Sequence, residues 1–187
     1  MMLESYPWKR ELERQIEDLE SLAKPGAISD DCADEVDFQF ERSLIYSAFI
    51  SRLLMDAGKL PDSVWELQIV ARTMPLLDSD FRNAVPVLRR WPDNGRYDFA
   101  SEEKRRLSFR DAINQIIHSA IIPTMALGKE RQLEGFFVGS DRVFDTEIYY
   151  ISLEDWLAHV CNVLHADVSN VRMSFDPNKG TWIVSRD

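Results

Sequence analysis

Residues 133–152 read LEGFFVGSDRVFDTEIYYIS, and this stretch decides the fold class. Apolar and aromatic residues dominate 133–140 and 146–152, and a more polar segment around Asp141 to Asp145 separates them. Runs of this length and composition on both sides of a short polar link are typical of two antiparallel strands joined by a turn. The stretch therefore predicts a β-hairpin in the last third of the chain.

Further elements follow directly toward the C-terminus. Ser152 and Asp155 form an S-x-x-D start, which predicts a helix over 153–165. The runs VRMSF and TWIVS, on either side of the DPNKG turn at 176–180, predict a second pair of strands. The last 60 or so residues are thus expected to be rich in β-structure, with one helix.

Toward the N-terminus the pattern becomes helical. Residues 6–23 predict a first helix, capped by Ser5 and ended by KPG at 24–26. Residues 35–57 predict a longer one with apolar residues on more than one stripe, which we expect to be the most buried helix. VWELQIVAR, residues 64–72, suits a strand or a short helix, and WPDNGRYD, residues 91–98, reads as a turn.

A third helical region is predicted around residue 110. A helix occupies about 102–106, or merges with the helix from 109 to about 121, which Pro123 ends. Helices first and strands afterwards indicate an α+β fold: an N-terminal helical bundle, about 1–125, with a C-terminal antiparallel sheet and one helix. We expect one domain over 1–187 and leave open a sub-boundary near residue 125, since 126–187 alone is short for an independent core.

Composition narrows the class of protein. Hydrophobic residues make up 45% of the 187 residues, enough for a core, and the formal net charge is −10. We find no apolar run long enough for a membrane span and no secretory signal. Two cysteines, Cys32 and Cys161, lie far apart and suggest reduced thiols, so we expect a cytoplasmic protein. The common nucleotide, acyl-transfer and zinc-protease motifs are missing, and we expect no cofactor.

The charge is unevenly distributed along the chain. Residues 1–60 hold 7 basic and 13 acidic residues, a net of −6, whereas residues 82–110 hold 8 basic and 4 acidic residues, a net of +4. The basic residues of that segment are Arg82, Arg89, Arg90, Arg96, Lys104, Arg105, Arg106 and Arg110. Lys104, Arg105 and Arg106 are candidates for phosphate or RNA contact, and a solvated face is the alternative interpretation.

The basic segment leads into FRDAINQIIHS, residues 109–119. Arg110, Asn114 and His118 recur at every fourth position, so they form one line along a helix whose other side is apolar. Ser108 and Asp111 form a capping pair at its start. Arg110 then lies in the first turn, where free N–H groups and a guanidinium together favour a phosphate.

An arginine, a polar residue and a histidine on one helix resemble the motif of the HEPN superfamily, many of whose members are ribonucleases. Seven residues separate Arg110 from His118, a longer interval than the usual motif has. The resemblance implies Arg110 as phosphate binder, Asn114 as polar positioner and His118 as the acid/base group, in a metal-independent attack of the RNA 2′-hydroxyl on the adjacent phosphate. It also implies a homodimer. The stretches ERSLIYSAF and FRD…NQIIH resemble bacterial proteins of uncharacterised function.

Two other groups of residues suggest sites. His159, Cys161 and His165 lie on the 153–165 helix, but a zinc site needs about four ligands with paired spacings, so core or surface roles are the stronger interpretation. An aromatic line suits either the core of a small sheet or a surface that stacks bases. It comprises Phe136, Phe137, Tyr149, Tyr150, Trp156, Phe175 and Trp182.

Two functions from different classes follow. The first is a non-catalytic bacterial interaction protein of the immunity, antitoxin or defence-accessory type, whose acidic helices meet a basic partner such as a toxin or nuclease. The second is a HEPN-like, metal-independent endoribonuclease that uses Arg110, Asn114 and His118 on RNA. Neither interpretation involves a membrane or a metal.

Overall fold

The computed structural model describes residues 4–77, 92 and 95–187, apart from the side chains of Asp30 and Ile122. Arg82, Arg89, Arg90 and part of the predicted turn at 91–98 lie outside these residues. The helices are α1 (Tyr6–Leu22), α2 (Ala33–Asp56), α3 (Asp62–Trp65), α4 (Phe109–Ile117) and α5 (Leu153–His165), and a 3₁₀ turn spans Asp30–Cys32. The strands are β1 (Gln68–Pro75), β2 (Glu103–Ser108), β3 (Ser119–Leu127), β4 (Leu133–Ser140), β5 (Glu147–Ser152), β6 (Val171–Asp176) and β7 (Thr181–Arg186).

Five strands form one antiparallel sheet in the order β2-β1-β5-β4-β3. One face is covered by α4 and α5, and α1 and α2 pack behind them. The largest buried side chains lie between these layers: Phe136 of β4 contacts Phe40 of α2 and Trp156 of α5. Trp156 also donates a hydrogen bond from its indole nitrogen to Ser47 Oγ at 3.2 Å. This core fixes the positions of α2 and α4, which carry the candidate site.

The opposite face of the sheet holds a smaller apolar cluster. Met74, Tyr97, Ile121 and Ile148 are buried there, and Phe137 and Tyr150 pack against them. Because successive strand residues point to opposite faces, Phe136 and Tyr149 face the helices while Phe137 and Tyr150 face outward. Most of the aromatic line is therefore divided between two faces of one sheet and forms no continuous surface.

The structure confirms the α+β class with an antiparallel sheet. Helices lead the chain, and strands with one helix end it, as predicted. Fewer of the first 125 residues are helical than predicted, because β1, β2 and most of β3 belong to that part of the chain. Residue 125, the predicted sub-boundary, lies within β3, which pairs with β4 across that position.

Two local predictions are wrong. The segment 102–106 was expected to be helical but is strand: β2 pairs with β1 from Gln68↔Ser108 to Thr73↔Glu103, and tertiary pairing overrides the helix propensity of its Glu, Lys and Arg residues. The 109–121 helix ends at Ile117, and Pro123 lies within β3 instead of ending a helix. Proline is tolerated there because β3 is an edge strand, where a missing N–H need not break the sheet.

The sequence of segment 64–72 allowed a strand or a short helix, and the structure has both: α3 ends at Trp65 and β1 begins at Gln68. Ser5 precedes α1, but its side chain does not make the predicted capping hydrogen bond. A short 3₁₀ turn precedes α2. Among the described residues, no helix is both long enough and apolar enough to span a membrane.

Candidate functional site

The candidate site is built on α4, which starts directly at the end of β2. Ser108 Oγ accepts a hydrogen bond from the backbone N–H of Asp111 at 3.1 Å and donates one to Asp111 Oδ2 at 2.6 Å. The predicted capping pair therefore exists, and it fixes the helix at the edge of the sheet. Phe109, Ala112, Ile113 and Ile116 are buried on the core side, so the polar residues of α4 are left on its other side.

A pocket of about 470 Å³ opens beside α4. Its lining comes from α2, α4, the last residue of β4 and the two residues that follow: Arg52, Asp111, Asn114, Gln115, His118, Ser140, Asp141 and Arg142. Two of the three residues of the predicted line, Asn114 and His118, are thus brought together in one cavity. We call this cavity the α4 pocket.

His118 is exposed at the wall of the α4 pocket and is the C-cap residue of α4. Its backbone N–H donates to Asn114 O at 3.0 Å, and its carbonyl accepts from Asp141 N–H at 3.1 Å. These two bonds fix its main chain, while its ring makes no hydrogen bond or ion pair within the described part of the chain. The imidazole is therefore accessible to a ligand in the pocket.

The amide side chains of the α4 pocket are held by neighbouring elements. Asn114 Oδ1 accepts a hydrogen bond from Arg52 Nη1 of α2, and Gln115 Oε1 accepts one from Ser140 N–H at 2.9 Å. Since the oxygens are occupied, the amide nitrogens of Asn114 and Gln115 remain as donors. Arg52 is itself paired with Asp56 through a 2.6 Å bond from Nε to Oδ2.

Arg110 does not line the α4 pocket. Its guanidinium carbon lies 4.8 Å from the centre of the Trp65 ring, and its Nη2 is 4.0 Å from Asp56 Oδ1. Arg110 is thus engaged in a cation–π contact and a long ion pair that hold α4 against α2 and α3. Arg142 lines the α4 pocket together with His118; it is exposed and has no ion pair within the described part of the chain.

Lys104, Arg105 and Arg106 lie on the edge strand β2 and do not line the α4 pocket. They do not share a surface: Arg105 points to the helix-covered side, where it pairs with Glu147 and donates to Tyr149 Oη at 3.3 Å. Lys104 and Arg106 alternate with it and face the other side. Burial, followed by the hydrogen bond with Glu147, raises the pKa of Tyr149 to about 12.

His159 and Cys161 of α5 are accounted for by packing, whereas His165, the third residue of this predicted group, is exposed. His159 Nδ1 lies 2.7 Å from Asp155 O and Nε2 lies 3.0 Å from Gln68 O, while its ring packs on Phe109. Burial raises the pKa of Cys161, and the charge of Glu20 acts in the same direction. Across the described ranges, no three His, Cys, Asp or Glu side chains come together as a metal ion would require.

Four lining residues had no signal in the sequence: Arg52, Ser140, Asp141 and Arg142 lie far from α4 along the chain. Gln115 is next to Asn114, but it is off the every-fourth line. Comparison of the chain with protein-family models, with curated proteins and with solved structures gives no match. The interpretation of the site therefore depends on its own geometry and chemistry.

Proposed function

We propose that the chain is a non-catalytic interaction protein that binds a basic protein partner, as an immunity, antitoxin or defence-accessory protein does. The observation that carries the proposal is a second apolar face on α2. Phe38, Ile45 and Phe49 are 64%, 40% and 48% exposed, and their spacing of seven and four residues places them on one side of the helix. We call these three residues the α2 stripe.

The α2 stripe lies apart from the core-facing side of the same helix. The buried side chains of α2 include Phe40, Leu44, Ser47 and Leu54, which face α1 and the sheet layer. A helix that is apolar on two sides needs cover on both, and only one side is covered within the described residues. Exposed aromatic and aliphatic residues in a line are the usual anchors of helix–partner contacts.

Charge around the α2 stripe favours a basic partner. Asp34, Glu35 and Asp37 are exposed in the first turns of α2, close to Phe38. On the other flank, between α1 and α2, Glu11 and Asp18 are paired with Arg14 and Arg42, so the acidic charge lies mainly at the start of α2. An apolar line with an acidic end complements a partner that carries apolar anchors next to lysines and arginines.

The test is affinity capture with the full chain from its source organism, using wild type and the double variant Phe38→Ser/Phe49→Ser. We expect one stoichiometric protein of basic isoelectric point, retained by wild type, lost by the double variant and released as salt is raised. The matched control is Leu77→Ser/Leu127→Ser, which removes two exposed leucines elsewhere and should retain the partner. Capture of no partner, or equal capture by the stripe variant, rejects the proposal.

A second candidate function is supported by the exposed His118 in the α4 pocket. A metal-independent ribonuclease needs a base that takes the proton of the 2′-hydroxyl as its oxygen bonds to phosphorus, and an acid that protonates the departing 5′-oxygen. Histidine suits both roles because it changes charge near neutral pH. In this candidate Arg142 and Arg52, and not Arg110, neutralise the phosphate.

Cleavage of RNA in the presence of a chelator tests this second candidate. His118→Ala should lower the rate by about 100-fold or more, the size typical of removing a general acid or base. Arg142→Ala should lower it more than Arg110→Ala, because Arg142 lines the pocket and Arg110 does not. Cleavage that is equal in wild type and His118→Ala would come from contamination and would remove the candidate.

A further inference from the structure

One face of the β6–β7 hairpin carries four exposed apolar side chains. Val171, Met173 and Phe175 alternate along β6 and lie opposite Arg186, Val184 and Trp182 of β7. The exposed fractions of Val171, Met173, Phe175 and Trp182 are 54%, 63%, 52% and 62%. We call this set, with Val184, the hairpin face.

The hairpin stands apart from the five-stranded sheet. Among the described residues, its two strands pair only with each other, and Arg186 N–H at its base donates to Asp62 Oδ2 at 2.9 Å. The guanidinium of Arg186 lies against Gly58, whose φ of +65 ends α2 and whose missing side chain makes room for it. An isolated two-stranded hairpin is only marginally stable in water, so a covered hairpin face would stabilise it.

We propose that the hairpin face is a self-association surface, on which the hairpin of a second copy of this chain packs face to face. The two hairpins form a small four-stranded sandwich, with sheets about 10 Å apart as in other β-sandwiches. The two-fold axis passes near Met173 and Val184, the middle pair of the hairpin. The aromatic end of one copy then covers the aliphatic base of the other.

Charge favours a second copy at this place on the molecule. The chain carries a net −10, so two copies repel each other over most of their surface. The hairpin is an exception: Arg172, Lys179 and Arg186 are balanced by Asp176, by Asp187 beside Arg172 at 3.7 Å and by Asp62 beside Arg186 at 3.6 Å. An electrically neutral apolar face is where two acidic chains approach at the lowest electrostatic cost.

The area of the hairpin face is adequate for a modest dimer. Phe175 and Trp182 stack edge to face at 5.4 Å, and a little more than half of each side chain, on the order of 100–150 Å², is free to contact a partner. With the three aliphatic side chains, the patch is on the order of 500 Å², comparable with the largest apolar patches of monomeric proteins and with most of the about 800 Å² that each partner buries in a specific dimer. We expect a reversible dimer at micromolar concentrations.

Sedimentation velocity of the full chain over a range of concentrations tests the proposal. Wild type should dimerise, and Trp182→Ser and Phe175→Ser should each raise the dimer dissociation constant by about 30-fold or more, as truncation of an interface anchor does. The matched control is Ile183→Ser, because Ile183 is also half-exposed but lies on the opposite face of the same hairpin. It should leave the dissociation constant unchanged, and circular dichroism should show that all variants are folded.

A cross-linking experiment checks the position of the axis. In a Cys32→Ser background, Met173→Cys should be joined to a second copy by a short bismaleimide, whereas Ile183→Cys should not. A wild-type chain that stays monomeric throughout, or a dimer as tight in Trp182→Ser as in wild type, overturns the proposal. The result is separate from that for the α2 stripe, since Phe38→Ser/Phe49→Ser should leave the dimer intact and Trp182→Ser should leave partner capture intact.

Discussion

The β4–β5 pair and the β6–β7 hairpin are both antiparallel and both carry aromatic residues, yet they differ in what covers them. Phe136 of β4 is fully buried beneath α2 and α5, whereas Phe175 of β6 is more than half exposed. The β5 strand continues directly into α5, which folds back over the five-stranded sheet, whereas β6 and β7 form a separate two-stranded sheet.

The apolar side of a strand can be recognised in the sequence, but the element that covers it cannot. A period of two predicts which side of a strand needs an apolar neighbour, but not where that neighbour comes from. For β4 and β5 the neighbour is the helical layer of the same chain. For β6 and β7, the described residues of the chain supply none, and we assign that role to a second copy.

The largest expected effect on the free energy of unfolding distinguishes the covered β4–β5 pair from the exposed β6–β7 hairpin. Phe136→Ala should lower the free energy of unfolding by about 3–5 kcal/mol, because it leaves a cavity between Phe40 and Trp156. Phe175→Ala should lower it by about 1 kcal/mol or less. Urea denaturation followed by circular dichroism, at a concentration that keeps the chain monomeric, measures both. Equal losses would mean that the hairpin face is covered within one chain.

The next effect concerns the two places where a sheet strand passes directly into a covering helix. Ser108 ends β2 and caps α4, and Ser152 ends β5 and caps α5 through a 3.1 Å bond from Asp155 N–H. Ser108→Ala and Ser152→Ala should each cost about 1 kcal/mol of unfolding free energy. Ser5→Ala is the control, since Ser5 makes no capping bond with its side chain and its replacement should cost close to nothing.

A smaller effect distinguishes the two arginines near α4. Arg110→Ala should lower the free energy of unfolding by about 0.5–1 kcal/mol, because its cation–π contact and long ion pair are partly exposed. Arg142→Ala should leave stability unchanged within about 0.5 kcal/mol, since its side chain makes no ion pair with the described residues. Equal destabilisation by the two substitutions would contradict the different roles that we assign to them.

The last effect is a change in the pH dependence of stability above pH 10, and it concerns Tyr149 of β5. Because the pKa of Tyr149 is raised from 10 to about 12, its contribution to stability is complete below pH 10 and is lost as pH rises through 12. Tyr149→Phe should therefore flatten the decline of stability between pH 10 and pH 12. The control is Tyr150→Phe, on the outer face of the sheet, which should decline as wild type does.

Elements with a strong local pattern were predictable from the sequence. Strands β4 and β5 and helix α5 occur where the apolar runs and the S-x-x-D start placed them, and β6 and β7 flank the predicted turn. Strand β2 was not predictable, because its residues favour a helix in isolation and only the pairing with β1 makes them extended. The apolar residues of α2 predicted a buried helix but not which of its sides is covered, and the α2 stripe is exposed.

The candidate site was predictable only in part. The every-fourth spacing located Asn114 and His118, which share the α4 pocket. The spacing also grouped Arg110 with them. In the structure, however, Arg110 lies at the N-terminal end of α4 and contacts Trp65, whereas His118 lies just beyond the C-terminal end of α4. Arg52 and Arg142 come from α2 and from the segment after β4, and nothing in their local sequence connects them to α4.

By itself, the sequence determined the α+β class, the helix starts marked by Ser108 and Ser152, and the presence of strands β4 to β7. These are local properties, set by backbone hydrogen bonding and by the period at which apolar residues recur. Tertiary structure alone decided which apolar faces are covered, that β2 is a strand, and that His118 has Arg142 and not Arg110 in its pocket. Such features depend on which distant segments pack together, and packing is a property of the whole chain and not of any one stretch of it.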